Sequence, residues 1–280
     1  MGALNGKVAI VTGGTSGIGE KIVEVFVEEG AQVVIAARRQ AEGEALEKRL
    51  GARFVRTDVA SEAEVKSMVD RAVEWFGRVD CLVNNAGMPA PITSVADMEV
   101  SDIDQLLAVN VRGVMVATKH VARVMLSQGT GSIINIGSIA AHRGGLSGHI
   151  YTTSKGAVLA FTRSAAAELG EKGIRVNSIS PGAIVTGIFG KLAGVEASKA
   201  DRIADVVKGG FAALQPIPRA GATDDIARAA VYLASDGSSF VNGQDLMVDG
   251  GLTSVTRGWS TMVAGRAEMS RRIKAAAESL

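Results

Sequence analysis

Short runs of β-branched and other apolar residues alternate with helix-length amphipathic segments along most of this chain. The apolar runs lack the in-and-out alternation of a half-exposed strand, which is typical of strands that are covered on both faces. Repeated alternation of strand and helix predicts an α/β fold with a doubly wound parallel sheet and right-handed crossovers. The predicted strands are residues 8–11, 33–35, 54–55, 81–83, 133–136, 176–179 and 246–248.

Helical patterns lie between these strands, at residues 18–29, 41–50, 62–76, 111–126 and 157–171. No linker or repeat divides the chain, so we expect a single domain over residues 1–280 with its core at about 5–251. Residues 183–214 interrupt the alternation, and an excursion of that length in a compact domain is usually a binding loop or lid. Residues 252–280 form a tail with helical character from 263 to 277, for which we expect a surface helix or a subunit contact.

The composition argues against several classes of protein. A formal net charge of +1 gives no reason to expect nucleic acid or an anionic membrane as a partner. Cys81 is the single cysteine, and the three histidines are too widely spaced for a metal site. The N-terminus does not have the pattern of a signal peptide, and the apolar runs are too short to span a bilayer. We therefore expect a cytoplasmic protein that binds no metal.

Tyr151 and Lys155 stand four residues apart, so they share one face of a helix. The pKa of a phenol in water is ~10. An ammonium about 4 Å away in a half-buried site stabilises the phenolate by roughly 4 kcal/mol. This energy would lower the pKa of the phenol by about 3 units, before the desolvation of both groups is subtracted. The pair is a candidate for proton transfer near neutral pH. On spacing alone, a partly buried tyrosine beside a solvated lysine is the better interpretation.

A glycine-rich turn, residues 12–19, joins the first predicted strand to the first predicted helix. Glycine permits positive φ and the close approach of a pyrophosphate, and the helix N-terminus offers free N–H donors. The spacing G-x-x-x-G-x-G is one residue longer than the common dinucleotide fingerprint. In an alternating chain this position predicts a dinucleotide site. The candidate contacts in the turn are Gly13, Thr15, Ser16, Gly17, Ile18 and Gly19.

The end of the second strand bears on which dinucleotide binds. An acidic residue there would accept hydrogen bonds from the ribose hydroxyls of NAD, but this chain has Ala37 followed by Arg38 and Arg39. Two cations suit a 2′-phosphate, so we predict NADP. NAD remains the alternative if Arg38 only stacks on adenine and Arg39 is solvated. After the third strand, Asp58, next to Val59, could accept from the adenine amino group.

Taken together, the motifs resemble those of the short-chain dehydrogenase/reductase family. The motifs that match the family's order and spacing are the turn 12–19, Asn84-Asn-Ala-Gly87, Asn110, Ser138, Tyr151-x-x-x-Lys155 and Pro181-Gly182. The resemblance covers about residues 5–251 and implies a Rossmann-like fold of three layers. It also implies a dehydrogenase or ketoreductase that uses NADP or NAD, and a homo-oligomer, often a tetramer.

The resemblance implies a role for each site residue. Tyr151 resembles the general acid/base, and Ser138 resembles the donor that polarises the substrate oxygen. Lys155 resembles the residue that lowers the pKa of Tyr151 and binds the nicotinamide ribose. Asn110 resembles the residue whose backbone holds a water between Lys155 and solvent, although Ser138 and Asn110 could each be an ordinary cap. The remaining cofactor contacts implied are Asn84, Asn85, Ala86, Gly87, Pro181, Gly182, Ile184 and Thr186.

The substrate is the least determined feature. His142, Leu146 and His149 are placed to reach a bound substrate, although His149 could equally be structural. With the apolar excursion after Thr186, they suggest a largely apolar pocket for a small-molecule secondary alcohol or its ketone, cyclic ones included. One alternative is a 3-oxoacyl reductase for carrier-linked chains, which a basic patch at the pocket mouth would favour. Another is a nucleotide-binding protein without turnover, which would have no need of a proton donor.

Overall fold

One sheet of parallel strands forms the centre of the molecule. The computed structural model describes residues 2–200, 203–256 and 258–279. Within them, the strands are β1 (Val8–Thr12), β2 (Gln32–Ala37), β3 (Arg53–Arg56), β4 (Cys81–Asn84), β5 (Gly131–Ile136), β6 (Ile174–Pro181) and β7 (Asp245–Val248). These seven strands lie in the order β3-β2-β1-β4-β5-β6-β7, and each neighbouring pair is parallel.

Helices follow most strands and cover both faces of the sheet. The helices are α1 (Gly17–Glu28), α2 (Gln40–Leu50), α3 (Glu62–Phe76), α4 (Val100–Leu107), α5 (Gly113–Gln128), α6 (His149–Gly170), α7 (Ile188–Leu192), α8 (Ala197–Ala200), α9 (Lys208–Ala212), α10 (Thr223–Ala234) and α11 (Trp259–Glu278). One apolar core packs α1 and α10 against the sheet, and a second packs α3, α5 and α6 against the other face. Because both faces are covered, all residues of β1 and β4 are buried.

The strand order places the functional turns at one edge of the sheet. β1 lies between β2 and β4, so the chain moves outward in one direction from β1 to β3 and in the other direction from β4 to β7. At such a switch point the turns after the two neighbouring strands diverge and leave a crevice at the carboxyl ends, where α/β proteins bind ligands.

The α/β fold with a doubly wound parallel sheet is confirmed, and a strand lies at each predicted position. Helix α3 has the predicted bounds, whereas α6 begins at His149 rather than at residue 157. Helices α4 and α10 were not predicted. The excursion 183–214 contains short helices, including a 3₁₀ turn at Ala204–Val207, and its residues 201 and 202 lie outside the described residues.

The tail forms the predicted helix over a longer range, Trp259–Glu278, and none of the side chains described in it is buried. Across the part of the chain that the structure describes, no helix combines the length and the apolar character needed to cross a membrane.

Candidate active site

A cavity of about 630 Å³ opens at the carboxyl edge of the sheet, above the junction of β1 and β4. Most of the residues that the sequence predicts for the site line this cavity. They are Gly13, Thr15, Ser16, Gly17, Ile18, Arg38, Arg39, Asp58, Val59, Asn85, Ala86, Gly87, Ser138, Tyr151, Lys155, Pro181, Gly182, Ile184 and Thr186. Elements far apart in the sequence therefore contribute to a single cavity.

The glycine-rich turn has the backbone geometry that a dinucleotide requires. Gly13 and Gly17 adopt positive φ of 66° and 58°, which side chains rarely tolerate. A Cβ on Gly13 would lie 2.8 Å from Cα of Ala86, so only glycine fits there. The side chain of Ser16, the N-cap residue of α1, makes no capping hydrogen bond, which leaves first-turn N–H groups available to an anion. These residues fit a bound pyrophosphate.

Asn85 ties the turn after β4 to the turn after β1. Its Nδ2 donates to the carbonyl oxygens of Thr12 and Gly13, at 2.9 and 3.1 Å. Oγ1 of Thr12 accepts from the backbone N–H groups of Asn85 and Ala86, both at 3.0 Å. Gly19, predicted as a contact with the cofactor, does not line the cavity; it lies beneath this junction, where a Cβ would collide with Nδ2 of Asn85.

The two arginines after β2 differ in their surroundings. Nη2 of Arg39 donates to the carbonyl oxygen and to Oγ1 of Thr15, at 2.8 and 3.2 Å, so Arg39 braces the glycine-rich turn. Arg38 is exposed at the rim of the cavity, and its side chain has no hydrogen bond or ion pair with the residues that the structure describes. Ala37 ends β2, so no carboxylate takes the position that a ribose hydroxyl would need.

Asn84, for which the resemblance implies a contact with the cofactor, faces the protein interior, and its side chain does not line the cavity. Its Nδ2 donates to Oδ1 of Asn135 at 2.9 Å and to Oγ1 of Thr118 at 3.2 Å. Asn135 in turn donates to Oγ1 of Thr162 at 2.9 Å. Side chains of neighbouring strand residues point to opposite faces, and the last residue of β4 is buried within this polar network.

Asn110 is also buried, behind the cavity wall rather than in it. It lies in a π-helical turn, Ala108–Arg112, between α4 and α5, and π turns inside helices are frequent at functional sites. Its Oδ1 accepts from the backbone N–H of Met88, and its Nδ2 donates to the carbonyl oxygen of Met88, at 2.9 and 3.0 Å. Asn110 thereby fixes the segment that follows β4.

Tyr151 and Lys155 occupy consecutive turns of α6, as their spacing predicts, and Ser138 faces them from the end of β5. Nζ of Lys155 lies 5.6 Å from the centre of the Tyr151 ring and donates to the carbonyl oxygen of Ile136 at 2.7 Å. The side chain of Ser138 lines the cavity near the phenol of Tyr151 and influences its pKa. Oγ of Ser138 accepts from the backbone N–H of Ala140 at 3.1 Å. A proton donor and a second hydroxyl therefore meet at one point of the cavity.

Burial dominates the electrostatics of this pair. Desolvation raises the pKa of Tyr151 above its ordinary value, and the side chain of Ser138 opposes that rise. Desolvation also lowers the pKa of Lys155 from 10.5 to about 8. The lowered tyrosine pKa that the spacing predicts is therefore absent here, since the cost of burying a phenolate is the largest influence on the pKa of Tyr151.

Of the three residues predicted to reach the substrate, one lines the cavity and two do not. Leu146 lines the cavity, as predicted. His142 does not, because its Nε2 lies 2.6 Å from Oδ2 of Asp245 on β7. His149 does not either, since it is the exposed first residue of α6.

Several lining residues were not predicted. Met88, Pro89 and Ala90 follow the turn after β4, and Leu252 follows β7. All four lie just beyond the carboxyl end of a strand, and this position is the signal that could have identified them. The segment 183–214, expected to contribute to an apolar pocket, adds four apolar side chains to the wall of the cavity: Ile188, Phe189, Phe211 and Leu214.

Comparison with known proteins gives consistent matches along nearly the whole chain. The family model described as Enoyl-(Acyl carrier protein) reductase matches residues 13–253, which include every residue predicted for the site. (+)-Borneol dehydrogenase 2 of Salvia officinalis is 44% identical over 262 residues, with 90% of each chain covered. Short-chain dehydrogenase reductase ATA1 of Arabidopsis thaliana is 41% identical over 256 residues, with 89% of this chain and 93% of the relative covered. Xanthoxin dehydrogenase of Arabidopsis thaliana is 41% identical over 262 residues, with 89% and 90% covered.

The buried ammonium of Lys155 predicts a pH-dependent gain in stability for Lys155→Met. The folded-state pKa, about 8 instead of 10.5, corresponds to a penalty of about 3 kcal/mol at pH 7. Loss of the hydrogen bond to Ile136 costs about 1 kcal/mol. The variant should therefore be about 2 kcal/mol more stable at pH 7 by denaturant unfolding.

The direction of the pKa shift of Lys155 determines the pH range in which Lys155→Met is more stable than the wild type. A lowered lysine pKa destabilises the fold fully below about pH 8 and ceases to do so as pH rises toward 10.5. The advantage of Lys155→Met should thus shrink between pH 8 and 10. Lys172→Met, at an exposed position, is the control. An advantage that is absent at pH 7, or that grows with pH, would contradict the assigned burial penalty.

Proposed function

Because the chain belongs to the short-chain dehydrogenase/reductase family, and is therefore an alcohol dehydrogenase or ketoreductase with a nicotinamide cofactor, we propose that Tyr151 exchanges a proton with the oxygen of a secondary alcohol or its ketone. The bound nicotinamide supplies or accepts the hydride in this reaction. The residues of the chain bind and orient the substrate and the cofactor, and they move the proton. The observation that carries the proposal is the meeting of Tyr151, Ser138 and Lys155 in the cavity that the glycine-rich turn also lines.

Each of the three residues has a distinct task in this proposal. The hydroxyl of Ser138 donates to the substrate oxygen and holds it beside the phenol. Tyr151 gives its proton to that oxygen in the reductive direction and takes it back in the oxidative direction. The phenol is protonated at neutral pH, as the reductive step requires, but burial raises its pKa and makes it a weaker acid. Lys155, in the next turn of α6, supplies the nearby positive charge that favours a developing phenolate.

The first test of this proposal is Tyr151→Phe. The change removes one oxygen atom and keeps the ring, so kcat should fall by about 10²- to 10⁴-fold, the usual contribution of general acid catalysis. Binding of the nucleotide, followed by fluorescence quenching, should stay within a few-fold of wild type. Tyr232→Phe is the matched control, since it alters the second of the two tyrosines, an exposed residue of α10. Turnover by Tyr151→Phe at the wild-type rate would refute the role.

We further propose that NADP is the preferred nucleotide. Arg38 is an exposed cation at the rim of the cavity, next to the end of β2, where Ala37 offers no carboxylate. A guanidinium binds a phosphate monoester with charge-assisted, often bidentate, hydrogen bonds. Gly13 and Gly17, with the N-terminus of α1, would hold the pyrophosphate, and Asp58 would accept from the adenine amino group.

Arg38→Ala and Arg39→Ala should separate these two arginines. A charge-assisted contact contributes about 1.5–3 kcal/mol, so Arg38→Ala should weaken NADPH binding by roughly 10- to 100-fold and leave NADH binding unchanged. Arg39→Ala should weaken both nucleotides to a similar degree, because Arg39 acts through Thr15 and the glycine-rich turn. Calorimetric titration of each variant with both nucleotides gives the answer. Equal affinity of the wild type for NADH and NADPH would overturn the assignment.

We propose that the substrate is largely apolar and lacks a charged group. The described lining of the cavity contains four charged residues, which are Arg38, Arg39, Asp58 and Lys155. The first three lie at the ends of β2 and β3, and Lys155 lies beside Tyr151. The wall beyond Ser138 and Tyr151 carries no Lys or Arg among the described residues. A carrier-linked substrate would favour a basic mouth, so this lining supports a free alcohol or ketone over the 3-oxoacyl alternative.

The roof of the cavity supports a bulky substrate. Phe189 on α7 and Phe211 on α9 pack edge to face, with ring centres 4.8 Å apart and planes at 74°. Edge-to-face pairs are stabilising, so this contact joins α7 to α9 beside the substrate end of the cavity. Leu214, Leu252 and Met88 extend the same apolar surface. A cyclic secondary alcohol or its ketone would contact this surface over most of its area.

We also propose that the protein forms a homo-oligomer, with a tetramer as the expected form. Exposed apolar side chains lie on α5, at Met115 and Leu126, and on β7, at Leu246 and Met247. β7 is an edge strand, and its unpaired backbone groups favour coverage by another surface. The expected contacts are therefore a helical surface that includes α5 and the edge formed by β7.

A further inference from the structure

The loop that carries Ser138 is anchored at its far end by a contact between His142 and Asp245. A single 3₁₀ turn, Ile139–Ala141, follows Ser138, and His142 is its C-cap residue. Nε2 of His142 lies 2.6 Å from Oδ2 of Asp245, the first residue of β7. A single 3₁₀ turn has little stability of its own, and residues 143–146, which follow it, are exposed. The contact with β7 therefore restrains a segment that would otherwise be held from one side only.

Asp245 is itself held rigidly. Its Oδ1 accepts from Oγ of Ser178 at 2.5 Å and from Oγ of Ser180 at 3.0 Å, and both serines are fully buried on β6. The carboxylate thus bridges the sheet and the loop, with one oxygen bonded to β6 and the other facing His142. A carboxylate fixed by two buried donors offers the histidine a single position.

The same network supports the residue before Ser138. A Cβ on Gly137 would lie 2.7 Å from Oγ of Ser180, so this backbone packs directly against the serine. The backbone N–H of Gly137 donates to the carbonyl oxygen of Ile179 at 2.7 Å. Asp245 therefore restrains the Ser138 loop from both ends: through Ser180 before Ser138 and through His142 after it.

We propose that His142 and Asp245 are a positioning pair that fixes the hydroxyl of Ser138 against Tyr151. The inference rests on the proposed function, in which Ser138 orients the substrate oxygen. Neither His142 nor Asp245 lines the cavity, so the pair acts through the loop and not on the substrate. The histidine is also partly exposed, and polar contacts at exposed positions contribute little to global stability. Loss of the pair should consequently affect the rate and not the fold.

The first measurement compares His142→Ala with His142→Gln. A displacement of a catalytic group by about 1 Å can cost up to 100-fold in rate, so His142→Ala should lower kcat by about tenfold. The Kd for NADPH and the unfolding midpoint should stay at wild-type values, because the nucleotide turn and the core are untouched. The Gln side chain can still donate to Asp245, so it should restore most of the rate. Full activity of His142→Ala would overturn the proposal.

The second measurement asks whether the effect passes through Ser138. The single-turnover rate constants of Ser138→Ala and of Ser138→Ala/His142→Ala are measured at high enzyme concentration. If His142 positions Ser138, removal of the histidine should change the rate less than twofold once the hydroxyl is absent. The same tenfold loss in both backgrounds would overturn the pairing while leaving the role of Ser138 intact. A fully active Ser138→Ala would instead refute the proposed function of Ser138, so the two failures are distinguishable.

Discussion

Hydrogen bonds from Asn85 to the carbonyl oxygens of Thr12 and Gly13 join the turn after β4 to the turn after β1. β1 and β4 are the two neighbouring strands from which the chain departs in opposite directions, so the bonds lie where the crevice opens. They fix the glycine-rich turn relative to the rest of the sheet. Gly19 must be a glycine for the amide of Asn85 to fit there. The nucleotide end and the reactive end of the cavity thus share one support.

At the reactive end, burial and charge act against each other. Burial raises the pKa of Tyr151 and lowers the pKa of Lys155 to about 8, so it disfavours the charged form of each group, although Lys155 stays mostly protonated at pH 7. A protonated phenol suits reduction of a ketone. Oxidation of an alcohol needs the phenolate, so positive charge must lower the pKa of Tyr151 before it can act as a base. Lys155 and an oxidised nicotinamide are the two charges that the proposed complex provides.

Local patterns predicted the features that local chemistry determines. Helix α3 has its predicted bounds because the hydroxyl of Ser61 accepts from the backbone N–H of Glu64 and a left-handed Gly77 ends the helix. Contacts between distant segments could not be predicted in this way. The partner of His142 lies on β7, a hundred residues away, and which of two adjacent asparagines faces the cavity depends on the pleat of β4. The packing of Phe189 on Phe211 has the same origin, since no pattern specifies how the excursion folds back.

The balance between burial and charge at Tyr151 can be measured directly. In a Tyr232→Phe variant, Tyr151 is the one remaining tyrosine, so ultraviolet difference absorbance follows its ionisation alone. The free protein should ionise above the ordinary tyrosine pKa of ~10. Saturation with NADP⁺ should move the midpoint to lower pH, and the shift should be smaller in a Lys155→Met background. Ionisation of the free protein below its ordinary pKa, or a midpoint that NADP⁺ leaves unchanged, would contradict the claim that burial holds the phenol neutral until positive charge arrives.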